Sequence, residues 1–319
     1  MKYGLLTYKY TSREGYRPSE VNIGDYIQAI AARQFLPRVD VLVDRDSVSS
    51  YSGDPVRLIM NGWWHVYEGN ATTSAAITPL YVSYHIANPE GLTKEALEHL
   101  QKYSPIGCRD IATVNCLLNN GIEAYLSSCL TSTLGKTYRV PEEKRTNIVY
   151  FVDCDFIDFE KPSWIKWCLS RKARRSCSFP MRQLKQRTLE IIEDYLHDAH
   201  VEKRSHMYPL TLDDNERFQI ADQLLRDYSR ARLIVTSRLH CALPAFSMGI
   251  PVLFVGKNLQ DCRYDGTLDW VNRIGFDEEQ NIVQYLFTNG AYRLSPSLPT
   301  KLTTVYASQL SLQCQQFIQ

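Results

Sequence analysis

A chain of 319 residues is about two domains long, and 44% hydrophobic with 22% charged residues is ordinary globular composition. That excludes a disordered chain, a fibre and a coiled coil. The 36 Lys and Arg against 35 Asp and Glu leave a formal charge of +1, which argues against a dedicated nucleic-acid binder but permits a local basic patch.

In chain order, Met1–Tyr8 reads as a first strand. Val21-Asn22-Ile23-Gly24-Asp25 then opens a helix running through Arg33. Val39–Val43 and Val56–Met60 read as strands, and Glu95–Tyr103 as a helix. Pro105–Cys108 and Glu123–Leu126 are strands flanking a helix from Asp110 to Leu118, which Asn119-Asn120-Gly121 stops. A polar, proline-bearing stretch near Gly135–Asn147 divides the chain, and Ile148–Val152 starts a second strand series. It continues with a helix over Met181–Ala199, a strand at His200–Glu202, and a helix over Asp213–Tyr228. A strand at Arg232–Thr236, a helix over Leu239–Met248 stopped by Gly249, and a strand at Pro251–Val255 follow. Lys301–Gln319 reads as helical. Such alternation implies parallel sheets with helices on both faces. The expected architecture is α/β, with domains at 1–140 and 141–300 facing a cleft and a terminal helix over 301–319 that crosses back to the first.

Ligands of such sheets sit beyond the carboxyl ends of the strands, which singles out four loops. Asn22-Ile-Gly24-Asp25 opens a helix, where exposed amides suit an anion and where Asn22 or Asp25 suits a cap. Asn61-Gly62-Trp63-Trp64-His65 follows a strand; its indoles suit stacking on a sugar ring or, equally, plugging the domain interface. Gly107-Cys108-Arg109-Asp110 sets an arginine at a strand-to-helix junction, suited to a carboxylate or phosphate, or to a salt bridge that organises the loop. Thr236-Ser237-Arg238-Leu239-His240 delivers a hydroxyl, a guanidinium and an imidazole from an apolar strand, which demands a partner for them. An anion near the helix N-terminus supplies one.

These segments together resemble the polysaccharide pyruvyl transferase family. The matching pieces are Asn22-Ile-Gly-Asp25, Gly107-Cys-Arg-Asp110 with its helix and Gly121, Ser127-Ser-Cys129-Leu-Thr131, and Val235-Thr-Ser-Arg-Leu-His240 followed by Gly249-Ile-Pro251. They keep the family's order and approximate spacing from about 20 to 255. The resemblance implies a GT-B-like fold of two Rossmann-like domains. It also implies transfer of pyruvate from phosphoenolpyruvate to two hydroxyls of one sugar, giving a cyclic ketal and phosphate, with no other cofactor. By the motif match the donor ligands are Arg109, Ser237, Arg238, Leu239 and His240, with Asn22 and Gly24 at the first loop. Where the family's first-domain loop is often glycine-rich, this chain has Asn61-Gly62-Trp63-Trp64-His65, the expected acceptor contacts. His240 is the expected acid at the donor methylene or the departing phosphate. Asp25 is the expected base on an acceptor hydroxyl, or else a helix cap.

Two other classes remain open: a nucleotide-sugar-dependent glycosyltransferase on the same fold, and a non-catalytic glycan-binding protein. Asp153-Cys154-Asp155 has the spacing of some metal sites but carries little by itself, and no metal is expected. Arg204-Ser205-His206-Met207-Tyr208 and Arg263-Tyr264-Asp265-Gly266 read as structural segments near the cleft, with His206 a secondary site candidate. Residues 161–187 hold nine basic residues, Trp164 and Trp167, and no acid. That composition suits a solvated loop, a polyanionic glycan, or peripheral contact with an anionic membrane carrying a lipid-linked acceptor. No apolar run approaches the roughly 18 residues of a spanning helix, no signal peptide is evident, and the cysteines form no C-x-x-C pair. A cytoplasmic protein, peripheral at most to the inner face of the membrane, with reduced thiols is expected.

Overall fold

The computed structural model describes residues 1–10, 19–66, 71–154, 179–286, 294 and 302–319. Its first half runs β1 (Lys2–Thr7), β2 (Glu20–Asn22), α1 (Ile23–Arg33), β3 (Val41–Asp44), β4 (Val56–Trp64), β5 (Ile77–Ile86), α2 (Lys94–Lys102), β6 (Ile106–Cys108), α3 (Ile111–Asn119), β7 (Ala124–Leu126) and the short α4 (Gly135–Tyr138). The second half runs β8 (Ile148–Val152), α5 (Phe179–Leu196), β9 (His200–Arg204), β10 (Met207–Pro209), α6 (Asp214–Tyr228), β11 (Leu233–Thr236), α7 (Leu239–Ser247), β12 (Val252–Gly256), β13 (Arg273–Phe276) and β14 (Ile282–Tyr285), closed by α8 (Ala307–Ile318). Asp155 and the basic, Trp-bearing stretch over 161–175 lie outside the described residues.

One six-stranded sheet has the order β3-β1-β4-β5-β6-β7 and is parallel throughout. The other has the order β14-β13-β12-β11-β8-β9 and is parallel except for β14. This is the expected α/β arrangement of two mostly parallel sheets. In the first sheet the chain moves from β1 to β3 on one side and then to β4 on the other. In the second it moves from β8 to β9 and then to β11 across β8. These are the points where order reverses, and where such sheets open to ligands. A third, two-stranded ribbon pairs β2 antiparallel with β10, so it joins the halves.

Helix α1 is buried on nearly every face (Ile23 to Ala32), as expected of a helix with apolar residues all round. It lies between the first sheet and α6. Tyr26 packs edge-on against Phe218, its hydroxyl donates to Asp214 Oδ1 at 2.6 Å, and Arg217 donates to both Tyr26 Oη (2.9 Å) and Tyr8 O (3.0 Å). Helix α8 lies on the first half: Arg57 donates to Phe317 O, Gln313 to Tyr125 Oη and Lys136 to Ser311 Oγ.

Strands β10, β13 and β14 were not read in the sequence, and two further differences bear on the site. Asn61-Gly62-Trp63-Trp64 is no loop but the last part of β4, paired with β5. Strand β5 itself, ten residues long, was not anticipated. Its register against β4 slips by one residue: Met60 pairs with Tyr81 but Gly62 with Tyr84. The bulge centres on Ser83, whose φ is +54°. Ser127 Oγ accepts the Ser83 N–H at 2.9 Å and donates to Cys108 O at 2.9 Å, while Ser83 Oγ donates to Ser128 O at 2.7 Å. Bulges re-aim the residues that follow; here Tyr84 and His85 follow. Ser127→Ala strands the buried Ser83 N–H, so a loss of about 1–3 kcal/mol in stability is expected by urea unfolding.

Candidate active site

The second half presents its groups from β8 and β11. Thr236 Oγ1 accepts the Arg238 N–H at 3.0 Å, turning the chain into α7, whose N-terminus no side chain caps. Asp153, just past β8 and at φ +51°, organises the turn. Its carboxylate accepts from Arg238 Nε (2.6 Å), Ser205 Oγ (2.6 Å) and His206 N (3.0 Å), and its carbonyl from Ser237 Oγ (2.7 Å). Burial works to raise the Asp153 carboxyl, but these donors outweigh it and hold it below the usual carboxylate range. The Arg238 guanidinium, fixed through Nε, keeps its outer edge for other partners.

The first half presents Arg109 and Asp110 after β6. Asp110 caps α3, its Oδ1 accepting from Thr113 N and Oγ1, both at 2.9 Å. Its Oδ2 takes the Nδ1–H of His85 at 2.6 Å and lies 3.8 Å from Arg109 Nε. Arg109 is only 2% exposed, and its Nε has no hydrogen-bond partner among the described residues. An unbonded buried guanidinium nitrogen costs free energy that an anion would recover.

The loops of the two halves meet at Gly24. A Cβ there would lie 3.0 Å from Asn22 Oδ1 and 3.4 Å from both His206 Nδ1 and His240 Cβ. Asn22 caps α1 by accepting the Gly24 N–H at 3.0 Å, and Ile23 N–H donates to His206 O at 2.8 Å. His206 is fully buried; its Nε2 pairs with Tyr228 Oη at 3.0 Å, and its Nδ1 is unpartnered. His240 Nε2 is likewise buried and unpartnered. Burial, then Arg109, His206 and Arg263, push the His240 imidazole well below its usual pKa. Two imidazoles with unbonded nitrogens and two arginines from opposite halves therefore converge on one seam.

Beside them, Asp25 is buried, with Tyr10 Oη donating to its Oδ2 (2.6 Å) and Gln28 Nε2 to its Oδ1 (3.0 Å). Burial raises its carboxyl despite Arg45, Tyr10 and Arg109. Arg45 pairs with Asp46 (3.1 Å), donates to Trp63 O (3.1 Å), and lies over the Tyr8 and Trp63 rings. Trp63 is half-buried and stacks on His65 at 5.9 Å. Trp64 is fully buried against Tyr84, and Asn61 is buried with its Nδ2 on Gln28 O. Gly62, at φ +111°, lets Gln28 approach to 3.2 Å of where a Cβ would sit.

Asn22, Gly24, Arg109, Ser237, Arg238, Leu239 and His240 thus fall on the loops that bound this seam. Of the aromatic stretch, Trp63 and His65 are the members that retain exposure. His85 gave no signal in the sequence because the strand bearing it was not read. Asp153 was weighed there only as half of a metal spacing, and its observed work is to hold Arg238 and His206.

The buried imidazoles make stability depend on pH. Burial pushes His206 down to about 4, Asp153 opposing and Arg238 assisting. Between its ordinary 6.5 and about 4 the unfolded chain binds a proton there that the folded chain does not, so stability rises with pH across that window. Urea midpoints measured from about pH 7 down to about pH 4 are expected to fall, and His206→Gln to remove roughly 3 kcal/mol of that dependence.

The family model described as polysaccharide pyruvyl transferase matches residues 22–257. No curated protein gives a significant match. Among solved structures, UDP-GlcNAc 2-epimerase of Methanocaldococcus jannaschii, in complex with UDP-GlcNAc and UDP, is similar at 12% identity and a TM-score of 0.38, over 88% of this chain and 90% of that one. The family match takes in α1 through β12, including both arginine-bearing junctions and the loops that meet at Gly24, and the chain belongs to the polysaccharide pyruvyl transferase family.

Proposed function

We propose that the chain moves pyruvate from phosphoenolpyruvate onto two hydroxyls of a sugar, free or lipid-linked, as a ketal. The observation that carries this reading is the pairing of Arg109 and Arg238, from opposite halves, with the unbonded nitrogens of His240 and His206 at one seam. Phosphoenolpyruvate brings a phosphate and a carboxylate, so it offers an anion to each guanidinium. The uncapped N-terminus of α7, beginning at Leu239, adds backbone donors, with the Ser237 amide already given to Val152 O and that of Arg238 to Thr236 Oγ1. Asn22 and Gly24 form the opposite wall. Trp63 and His65 offer the acceptor sugar its stacking face, with Asn61, Gly62 and Trp64 as the strand framework that holds them.

In this reading His240, neutral when no anion lies beside it, gains a proton as the donor's charge arrives and delivers it to the methylene carbon C3. C2 becomes electrophilic and a sugar hydroxyl attacks it. Asp25, whose raised pKa makes it a better base, takes a hydroxyl proton. No further cofactor or metal enters the scheme. No described helix is long and apolar enough to cross a membrane; a cytoplasmic site of action, with the basic 161–187 segment meeting an anionic membrane, belongs to the proposal.

Calorimetry tests it. Phosphoenolpyruvate is expected to bind, and Arg109→Ala and Arg238→Ala each to weaken binding by about 2–3 kcal/mol, roughly 30- to 150-fold. Binding by nucleoside diphosphate but not by phosphoenolpyruvate would favour a glycosyltransferase instead. Titrations in two buffers of different ionisation enthalpy are expected to show net proton uptake on binding, reduced in His240→Ala.

A further inference from the structure

Ketal formation sets a proton balance that one acid and one base do not close conveniently. Two hydroxyl protons leave the sugar, one proton joins C3, and one departs on the phosphate. His240 and Asp25 account for the C3 proton and one hydroxyl. A second group is needed to accept the other hydroxyl proton and return it to the phosphate as that leaves.

The His85–Asp110 pair has the form for this work. His85 is the penultimate residue of β5, at the carboxyl end of the sheet, and is 2% exposed. Its Nδ1–H is held by Asp110 at 2.6 Å, which fixes the tautomer and leaves a lone pair on Nε2; no described residue bonds that atom. In the β4–β5 register His85 lies directly beside Trp63, so the two side chains share a face of the sheet. Asp110 is itself locked by the Thr113 N–H and hydroxyl, and the Ser83 bulge sets which way His85 turns. The groups that act on His85 come from three elements: Arg109 and Asp110 from the β6–α3 junction, Arg263 and Asp261 from the Cys262–Tyr264 turn, and His240 from α7. Burial and the two arginines keep the imidazole neutral against the pull of Asp110. Asp110 stays ionised: burial opposes this, but the hydrogen bond and charge of His85, then Arg109 and the Thr113 N–H, prevail.

We infer that His85, oriented by Asp110, is a second general base of pyruvyl transfer, acting on the acceptor hydroxyl that lies over Trp63. This rests on the transfer reading above. In the step, the hydroxyl oxygen forms its bond to C2 while its proton passes to His85 Nε2. The C2–O bond to phosphate then breaks with its electron pair going to the phosphate, and the imidazolium returns the proton to that oxygen. Arg109, beside the pair, holds the anion that receives it. The second hydroxyl closes the ketal, its proton going to Asp25 and replacing the one spent on C3. No oxidant or reductant enters, and the proton that His240 takes up from solvent as the donor binds is balanced by the one that Asp25 releases to solvent.

The test compares wild type, His85→Gln and Asp110→Asn. The probes are phosphoenolpyruvate binding by calorimetry, and phosphate release from phosphoenolpyruvate with a panel of methyl glycosides and with water alone. Asn keeps the α3 cap, but its amide donates to His85 Nδ1 and forces the proton onto Nε2, where the lone pair is lost. His85→Gln is expected to bind phosphoenolpyruvate within about threefold of wild type, and both variants to release phosphate about 10²- to 10⁴-fold more slowly. The acid limb of the kcat/KM profile is expected to disappear in His85→Gln, a change that a merely structural pair would not produce. Binding of phosphoenolpyruvate by all three proteins with equal phosphate release overturns the His85 proposal alone. So does a loss of binding in His85→Gln that matches its loss of turnover. Failure of wild type to bind phosphoenolpyruvate overturns the transfer reading and this proposal with it.

Discussion

Two carboxylates, Asp153 and Asp110, make the seam possible. Each sits at the mouth of one sheet, is largely withdrawn from water, and spends its oxygens on the elements that carry the cationic groups. Asp153 draws Arg238, Ser205 and the His206 backbone to one point; Asp110 starts α3 and holds both His85 and Arg109. Without them, two arginines and three imidazoles from loops far apart in the chain would have no reason to stay together. Like charges and buried imidazoles repel or neutralise one another in a medium of low polarity. The compromise is that burial and the nearby arginines push all three imidazoles below their usual pKa.

That compromise leaves a site short of negative charge. Arg109 Nε, His206 Nδ1 and His240 Nε2 are buried polar atoms without partners among the described residues. Folded chains leave few such atoms, and those they leave tend to mark a ligand's place. The side around Trp63 is built differently. There Arg45 is satisfied by Asp46 and the Trp63 carbonyl, and Asp25 by Tyr10 and Gln28, so that side has shape and aromatic surface but little unmet charge. The anionic donor and ring-shaped acceptor proposed above suit those two environments.

Much of this was legible in the sequence where the signal is local. Asp110, Asn119-Asn120-Gly121 and Gly249 punctuate helices by chemistry that acts within a few residues, and α3 and α7 begin and end within a residue or two of where those signals place them. The buried strands beginning at Ile148 and Leu233 are unbroken apolar runs. Strand β5 escaped because Pro79 and Ser83 interrupt its run, and because the bulge at Ser83 breaks the alternation that identifies a strand. Gly62 misled in the same way: a glycine after a polar Asn61 suggests a loop, yet here it lets a strand pass close to Gln28. The partnerships that define the site join residues 25 and 85 positions apart, His85 with Asp110 and Arg238 with Asp153. Nothing local to either residue announces such a pairing.

The ribbon of β2 with β10 carries a consequence for how such a protein can evolve. Glu20–Asn22 belongs by sequence to the first half but finds its strand partner, Met207–Pro209, in the second, and the Ile23 amide next to it is taken by the His206 carbonyl. The halves are therefore not interchangeable cassettes. A recombinant that took its first half from one relative and its second half from another would have to match these two short strands. A mismatch would misplace Gly24 against His206 and His240. Substitution around Trp63 and His65, away from the ribbon, changes that surface without the matching that a shuffle of whole halves demands.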